Sequence, residues 1–307
     1  MSTQGAALQF AGAVPACPQC RQPMQPMPLE GHYGRSVPTD LCAACHLVWF
    51  DDFESVRLSG LGWVGLLRQM QAATVSSPGV LHDRLACPRC AAVLKPVQNL
   101  TRFGRYSMLQ CPQRHGHLQT FSLLLAERGL VRMLSGLDRR TLAAEGREPT
   151  CLNCGAGVPE AGERCAHCDS PLVVIDMPRL MSALLVRHAE PLPAEAAQQL
   201  AWPCRGCGAA LEPTRSTHCG YCQHVVVVPS FLDLRPLLDK VEPLLRGTHP
   251  RAAQPHGARL RALRGDHRST GAYRILRTLF EPRGWPSTPL GWATLAGTAV
   301  LGWLLLR

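Results

Sequence analysis

The stretch CPQCRQPMQPMPLEGHYGRSVPTDLCAAC, residues 17–45, holds two Cys-x-x-Cys pairs with 21 residues between them. A Cys-x-x-Cys turn can place two sulfurs on one metal ion, and two such turns complete the tetrahedral ligand set that zinc prefers. Fourteen of the 15 cysteines in the chain fall into seven pairs of this kind. The remaining one, Cys111, opens Cys-Pro-Gln-Arg-His and predicts an eighth half-site that closes with His115.

Taken in chain order, these half-sites form four modules, each with the ligands of one structural metal ion. A single Cys-x-x-Cys pair also occurs in redox proteins, whereas eight half-sites in one chain indicate metal binding. We therefore predict four zinc ions, and iron in place of zinc stays open at the four-cysteine sites. In module two the compact turn favours His115 over the alternative ligand His117. The predicted ligands are Cys17, Cys20, Cys42 and Cys45 in module one; Cys87, Cys90, Cys111 and His115 in module two; Cys151, Cys154, Cys165 and Cys168 in module three; and Cys204, Cys207, Cys219 and Cys222 in module four.

The modules differ in the distance between their two knuckles, the short turns that carry the ligands. This distance is 21, 20, 10 and 11 residues in chain order, which predicts two internal duplications. Behind the long modules, apolar periodicity predicts helices over Leu58–Gln71 and Phe121–Leu134. In the short modules the β-branched runs Val173–Ile175 and Val225–Val228 precede segments with helical periodicity. Each module is thus predicted to be a β-hairpin ribbon with a helix behind it.

These features predict a small, metal-stabilised α+β protein with four tandem zinc-ribbon modules and a C-terminal transmembrane helix. Units this small bury too little apolar surface to fold without metal ions or disulfides. The N-terminus lacks the basic and apolar regions of a signal peptide, so we expect reduced thiols. The predicted units are zinc ribbons one and two with their helices, short ribbons three and four, a basic linker with an interfacial helix, and a membrane span, over residues 1–76, 84–146, 150–200, 201–246, 247–285 and 289–306.

The formal charge of +10 is concentrated in one segment. Residues 1–245 hold 22 basic and 20 acidic residues, and their charge falls to about −5 with metal because a four-cysteine zinc site carries −2. Residues 246–283 hold nine arginines against Asp266 and Glu281. Contact with anionic lipid is the preferred role of this segment because it adjoins the predicted span. Nucleic-acid binding and a plain flexible linker are the alternatives.

Residues 290–306, LGWATLAGTAVLGWLLL, carry no charge and would extend about 26 Å as a helix, near the ~30 Å of a bilayer core. Trp292 and Trp303 stand near the two ends, where interfacial aromatic residues belong. A helix buried in a soluble core is the alternative, although such a helix normally has a polar face. Nine arginines precede the segment and only Arg307 follows it. This asymmetry predicts a single-pass protein of the cell (inner) membrane with cytoplasmic zinc modules.

Module one resembles the TFIIB-like zinc ribbon family, the transcription factor zinc-finger type found in many small bacterial proteins. The shared features are the Cys-Pro-x-Cys opening, the second Cys-x-x-Cys pair, and Met24, Asp40, Trp49, Phe50, Asp51 and Glu54. The family usually has glycine where this chain has His46. Module two resembles a diverged copy, and modules three and four are similar to short double zinc ribbons through their Cys-x-x-Cys-Gly openings. These resemblances imply fold and bound metal, and hardly anything about function.

Several side chains around the knuckles are predicted to have structural roles. Trp49 and Phe50 are expected in the core, and the acidic residues Asp51, Asp52 and Glu54 are expected to cap the following helix rather than to act in catalysis. Four histidines lie beside complete sets of four cysteines, so they are predicted to be surface residues or to support the ligands. They are His46, His167, His218 and His224.

The leading functional hypothesis is a membrane-anchored, cytoplasm-facing zinc-ribbon protein that binds an unidentified protein partner as an adaptor. Lipid is expected to contact residues 290–306 and the basic segment 246–283. The alternative is a nucleic-acid-binding or transcription-associated protein, which the acidic charge of residues 1–245 disfavours. The third is an enzyme with an open zinc position in module two. No catalytic residue is predicted, and we expect the chain not to be an enzyme.

Overall fold

The computed structural model describes residues 14–51, 57–101, 104–187, 190–191, 200–212, 214 and 217–247. These residues belong to one compact unit, Met1–Thr248, which contains both helices and strands. The basic segment beyond Gly247 and the predicted span 289–306 lie outside the described residues, so both stay predictions. Within the described ranges, no helix is both long enough and apolar enough to cross a membrane.

Modules one and two each form a three-stranded antiparallel ribbon, and the two ribbons join into one six-stranded sheet. The strands of module one are β1 (Gln25–Glu30), β2 (Ser36–Cys42) and β3 (Leu47–Phe50), with a 3-10 turn at His32–Gly34 between the first two. Those of module two are β4 (Lys95–Thr101), β5 (Gly104–Gln110) and β6 (His117–Thr120). The strand order is β1-β2-β3-β6-β5-β4, so β3 pairs with β6. This pairing covers one open strand edge of each ribbon.

The join between β3 and β6 distributes side chains onto two faces, because successive residues of a strand alternate. Val48 and Phe50 are buried on the face that α1 (Gly60–Ala73) covers. Trp49 and Leu118 lie opposite each other on the other face and pack among ligand cysteines of modules one and two. The predicted core positions of Trp49 and Phe50 are confirmed, and one face of the sheet borders both long-module ligand clusters.

Helix α1 follows the first ribbon and begins two residues later than the predicted Leu58–Gln71. Its N-cap is Ser59, whose Oγ accepts a hydrogen bond from the Gly62 N–H at 3.2 Å. The prediction that the acidic cluster at residues 51–54 caps this helix is therefore wrong. The Asp51 carboxylate instead accepts a hydrogen bond from the Trp49 indole N–H at 2.8 Å, which leaves it beside the sheet.

Two glycines allow α1 to approach its neighbours closely. A Cβ atom at Gly60 would lie 1.9 Å from the carbonyl oxygen of Leu184, the last residue of α4 (Met177–Leu184). A Cβ atom at Gly62 would lie 2.1 Å from the carbonyl oxygen of Glu30. Since real atoms cannot come so close, any larger residue at either position must push α1 away from module three or from β1.

The predicted helix over Phe121–Leu134 is wrong in its second half. Helix α2 (Phe121–Glu127) ends before Gly129, whose φ of +66° is a left-handed conformation that terminates helices. The chain continues as β7 (Val131–Met133), which pairs antiparallel with β8 (Val173–Ile175). A strand behind module two therefore joins the β-branched run of module three.

The short modules are knuckle pairs with helices behind them. Helix α4 follows β8 as predicted, and α5 (Arg235–Gly247) follows a 3-10 turn at Phe231–Leu234. The second β-branched run, Val225–Val228, is not a strand; it makes one bridge, from Val225 to His218. The remaining elements are α3 (Gly136–Ala144), β9 (Val186–Arg187) paired with β10 (Glu190–Pro191), and β11 (Trp202–Pro203) paired with β12 (Ala210–Leu211).

One hydrophobic core takes side chains from all four modules. Phe121 behind module two and Phe231 behind module four meet edge to face, with ring centroids 6.2 Å apart. Leu66 of α1 and Met181 of α4 are fully buried in the same cluster. The four modules therefore share the apolar burial that none could provide alone.

Candidate metal centres

The structure gathers the predicted ligands into four separate groups of four. Within each group the ligand atoms all lie within 4.8 Å of one another. The groups contain four cysteines in modules one, three and four, and three cysteines with His115 in module two. Among the described residues, each group is thus complete as a tetrahedral donor set.

The spacing of the sulfur atoms fits a metal ion. The Sγ atoms of Cys20 and Cys42 are 3.7 Å apart, and those of Cys204 and Cys222 are 3.6 Å apart. A tetrahedron with metal–sulfur bonds of about 2.3 Å has edges of about 3.8 Å. A disulfide would need a separation of about 2.05 Å, and all 15 cysteines are free thiols. Each cluster is therefore preorganised to hold one metal ion.

The Cys-x-x-Cys knuckles share one backbone conformation. In module three the Cys151 N–H donates to the Ala156 carbonyl, and the Gly155 N–H donates back to the Cys151 carbonyl, both at 2.8 Å. The residue after each Cys-x-x-Cys pair has a positive φ, between 51° and 76°: Arg21, His46, Ala91, Gly155, Asp169, Gly208 and Gln223. This tight turn directs both sulfurs to one side of the chain. Backbone N–H groups also reach sulfur, as the Arg89 N–H does to Cys87 Sγ at 3.4 Å.

Module two closes its ligand set with a histidine. The Nδ1 atom of His115 lies 3.6 Å from Cys111 Sγ and 4.0 Å from Cys87 Sγ. His117, the alternative ligand, lies in β6, where its ring stacks on Phe50 with centroids 5.6 Å apart. Of the two histidines, the structure thus places His115 among the three sulfurs.

A glycine completes this shorter knuckle. Gly116 has φ +141°, and a Cβ atom there would lie 2.1 Å from the Phe50 carbonyl oxygen. Its own carbonyl accepts a hydrogen bond from the Cys111 N–H at 3.0 Å. Glycine is needed here because the chain must turn and also pass directly against β3.

His46 is more than the surface or supporting residue that was predicted. It is 1% exposed, and its ring stacks on Phe121 at 4.8 Å between centroids. Its Nε2 atom lies 2.8 Å from the Ala73 carbonyl oxygen, and its Nδ1 atom contacts the Asn153 carbonyl oxygen. Its φ of +51° lies in the left-handed region, which glycine adopts most easily. His46 therefore connects the second knuckle of module one with α1 and module three.

The other three histidines fall into two groups. His167 and His218 are exposed, as predicted. The Nε2 atom of His224 lies 2.6 Å from Glu145 Oε1, and the same carboxylate accepts from Arg147 at 3.0 Å. This nearly buried carboxylate ties the second knuckle of module four to the end of α3.

An ion-pair network joins the two long modules across the sheet. The Arg89 guanidinium of module two lies 3.1 Å from a carboxylate oxygen of Asp40 and 3.3 Å from one of Asp51. Burial raises the pKa of Asp40, and the positive charge of Arg89 opposes that rise. Asp40 and Asp51, two residues of the motif resemblance, thus have a structural role, and no feature of the sequence indicates that Arg89 is their partner.

Burial changes the acidity of several ligand thiols. The pKa values of Cys45, Cys87 and Cys154 are each raised to about 12, chiefly because the protein removes the sulfur from water. In contrast, a hydrogen bond from the Cys151 thiol lowers the pKa of Cys168 to about 4. Since metal ions bind thiolates, a metal ion must displace protons from the buried thiols.

The four clusters differ in exposure. All four sulfur ligands of module three are buried. Modules one and two each have one half-buried cysteine, Cys20 and Cys90. In module four, Cys207 and Cys222 are exposed. One metal centre is thus open to solvent on one side, although its knuckles have the same backbone geometry as the others.

Two concave regions lie beside the clusters. A cavity of about 460 Å³ is bounded by modules one, two and three; Arg164 and Asp169 in its lining bind each other at 2.6 Å. A groove of about 300 Å³ on module four is lined by apolar Trp202 and Pro236 and by basic Lys240. Neither region brings together an obvious catalytic set among the described residues.

The chain was compared with protein-family models, with curated proteins and with solved structures, and none of them matches it. The likeness of module one to TFIIB-like ribbons therefore remains a resemblance of motif. What the structure itself supports is an α+β protein with four metal-ligand clusters.

Proposed function

We propose that the four clusters bind zinc, as structural sites, and that the protein binds another protein at a membrane surface. The observation that carries this proposal is the complete set of four protein ligands in each cluster, inside a body with a shared core. Catalytic zinc sites leave a coordination position open for water or substrate, whereas structural sites fill all four. The bound metal ions would therefore stabilise the fold, and the partner protein would bind to the outer surface.

The choice of zinc rests on the donor atoms. Thiolate and imidazole at tetrahedral spacing suit zinc, and four thiolates also suit iron. Elemental analysis of the purified chain separates the two, and we expect four zinc ions per chain. Three ions would point to module two as incomplete. Iron would show itself as visible colour and would contradict the zinc assignment.

The membrane part of the proposal rests on the sequence of residues 246–283 and 290–306. Membrane fractionation with alkaline carbonate washing tests it directly. The full chain is expected to remain with the membranes, and a chain ending at Gly247 is expected to be released. Leu301→Arg should release the full chain because a charge within the apolar segment is costly, whereas Leu301→Ala should not. Release of the unmodified full chain would contradict a membrane span.

The groove on module four is the surface that we propose for the protein partner. Trp202, Pro203 and Pro236 give it an apolar lining and Lys240 gives it a basic edge, while Arg205 pairs with Asp233 of the same lining at 3.5 Å. A partner segment with an apolar anchor and an acidic neighbour fits this combination, since buried aromatic pockets and complementary charges dominate many interfaces.

The lysine content of the chain allows a site-specific test. Lys95 on β4 and Lys240 at the groove are its two lysines, and the other primary amine is that of the N-terminus. An amine-reactive cross-linker applied to intact membranes should therefore capture the partner through Lys240. Lys240→Arg should abolish the cross-linked species, whereas Lys95→Arg should leave it unchanged. A species that depends on Lys95 would place the partner on the sheet instead, and the absence of any species would count against adaptor function.

A further inference from the structure

The ligand cluster of module four is open on its outer side. Cys204 and Cys219 are buried at 4% and 0% exposure, but Cys207 and Cys222 are exposed. The ligands therefore divide into an inner pair and an outer pair. Small reagents in solvent can reach the outer pair without any unfolding of the protein.

The neighbourhood of the outer pair is also open. Added Cβ atoms at Gly208 and Gly220, which adjoin the two knuckles, would meet nothing within 4 Å. Tyr221, directly before Cys222, is 84% exposed. On the other side Gly206, directly before Cys207, is packed against His224, since a Cβ atom there would lie 2.9 Å from the ring. The backbone around Cys222 therefore has the room to move that is needed if the two sulfurs are to approach from within 4.8 Å to the ~2.05 Å of a disulfide.

The clusters of modules one and three are covered by contacts from elsewhere in the chain. In module three the Ser77 hydroxyl donates to the Cys154 carbonyl at 3.0 Å, and the ring of His46 contacts the Asn153 carbonyl oxygen. In module one the Gln19 side chain donates to the Val80 carbonyl at 3.2 Å, so the linker after α1 lies against the first knuckle. Cysteine residues are more easily oxidised when they are thiolates and exposed to solvent. Module four differs from the other modules because two of its ligand cysteines are exposed.

We propose that module four is a peroxide-sensitive metal-release site in which Cys207 and Cys222 form a disulfide. This inference rests on the proposed occupancy of the cluster by zinc, which keeps both sulfurs as thiolates. Hydroperoxides are the oxidant class, because they are small enough to reach the outer pair and accept two electrons. The remaining three centres hold the fold while module four responds.

The reaction balances without any further reagent. The Cys207 thiolate attacks one peroxide oxygen, the O–O bond breaks, hydroxide leaves, and Cys207 becomes a sulfenic acid. The Cys222 thiolate then attacks that sulfur, the S–O bond breaks, a second hydroxide leaves, and the S–S bond forms. Two solvent protons convert the hydroxides into water. Two thiolates have lost two electrons and the peroxide has gained them, and Cys204 and Cys219 alone cannot retain the metal ion.

The test treats the full, metal-loaded chain with hydrogen peroxide. Released metal is counted with a chromogenic indicator, and disulfides are mapped by alkylation and mass spectrometry. We expect one metal ion of the four to leave in a separate first phase, together with protection of Cys207 and Cys222 from alkylation. A thiol reductant with added zinc should restore both. Simultaneous release from all clusters, or a first disulfide in another module, would overturn the proposal.

Paired variants keep the result interpretable. Cys207→His with Cys222→His replaces the two outer thiolates with peroxide-resistant zinc ligands, so the first phase should disappear while four ions stay bound beforehand. Tyr221→Phe, which keeps all the ligands and changes an exposed side chain beside Cys222, should leave the first phase intact. A first phase that survives in the double variant refutes the assignment.

The starting stoichiometry separates the two proposals. Fewer than four ions before oxidation would contradict the proposed occupancy, and an empty module four would overturn the release site as well. If the missing ion belongs to another module, release of the module four ion in the first phase still supports the inference, and earlier release from another module still contradicts it.

Discussion

Modules three and four have the same local plan. Both use closely spaced knuckles with a Cys-x-x-Cys-Gly opening, and the glycines Gly155 and Gly208 have nearly equal φ values of +76° and +75°. The sulfur separations are also alike, at 3.7 Å between Cys151 and Cys168 and 3.6 Å between Cys204 and Cys222. At the level of the metal site alone, the two modules are nearly equivalent.

Their surroundings differ. Module three lies against α1, the linker after it and the second knuckle of module one, and all its ligands are buried. Module four contacts the end of α3 through His224 and Glu145, and half of its ligands are exposed. The knuckle sequence thus sets ligand geometry, while packing by distant segments sets exposure and, we expect, the consequences of losing the metal.

Loss of a ligand gives the largest expected difference between the two modules. Cys154→Ser should cost about 4 kcal/mol or more in the free energy of unfolding, because metal binding is part of folding and the altered site is buried in the protein. Cys207→Ser should cost distinctly less, since its site faces solvent. Guanidinium denaturation followed by circular dichroism measures both. Equal losses would show that exposure does not control the coupling between metal binding and folding.

The close packing of α1 against module three gives the next largest effect. Gly60→Ala should destabilise the protein by about 3 kcal/mol, since its Cβ atom would overlap the Leu184 carbonyl oxygen of α4. Gly65→Ala lies in the same helix, where the added Cβ atom would be 3.4 Å from Leu29 Cδ2. This control should change stability by less than about 1 kcal/mol, because alanine also favours the helix. Thermal unfolding of both variants checks the contrast.

The raised thiol pKa values of modules three and four predict that metal binding weakens as the pH falls. Burial and hydrogen bonding raise the pKa of Cys151, and burial raises that of Cys154 to about 12, so both thiols are protonated at neutral pH without metal. Protons therefore compete with the metal ion, and metal affinity must fall as the pH falls. For each proton that is displaced, the metal affinity falls about tenfold, or 1.4 kcal/mol, per pH unit.

In module four, the backbone N–H groups of Cys222 and Tyr221 lower the pKa of Cys219 to about 6, whereas the pKa of Cys222 itself is raised to about 12, so protons must be displaced there as well. Chelator competition between about pH 6 and 8, with alkylation of each cysteine read by mass spectrometry, follows the modules separately. A metal affinity that stays constant over this pH range would contradict the displacement of protons from these thiols.

The smallest expected effect tests the equivalence of the knuckles. Gly155→Ala and Gly208→Ala place a Cβ atom in open space, so each should cost only the left-handed backbone penalty of about 1 kcal/mol. Differential scanning calorimetry of the two variants should give similar losses. A clear inequality would mean that the knuckles differ in more than their surroundings.

The ligand clusters could be predicted from the sequence because knuckles are local structures. Their hydrogen bonds join residues four or five positions apart, as between Cys87 and Ala91 or Ala92. Helix α1, α4 and the run that became β8 follow from apolar periodicity for the same reason. Cysteine spacing and apolar periodicity therefore predict those structures whose contacts join residues close together in the sequence.

The long-range features could not be predicted in this way. Nothing in the periodicity of residues 121–134 shows that Gly129 ends the helix or that Val131–Met133 pairs with a strand more than 40 residues later. The Val225–Val228 run looks like Val173–Ile175, yet it lacks a partner strand among the described residues. Contacts with distant segments also decide which cysteines are covered. The exposure of Cys207 and Cys222 therefore could not be predicted from the sequence.

The pairing of β3 with β6 has a consequence for the history of the chain. Leu47 and His117 each lie two residues after the last ligand of their module, and Phe50 and Thr120 each lie five residues after it. In the sheet Leu47 faces Thr120, and Phe50 faces His117. Such reciprocity is the signature of a two-fold axis, as found in isologous dimers. The long modules thus reproduce within one chain the interface of a symmetric homodimer, which is the arrangement expected if a self-associating ancestor was duplicated and fused.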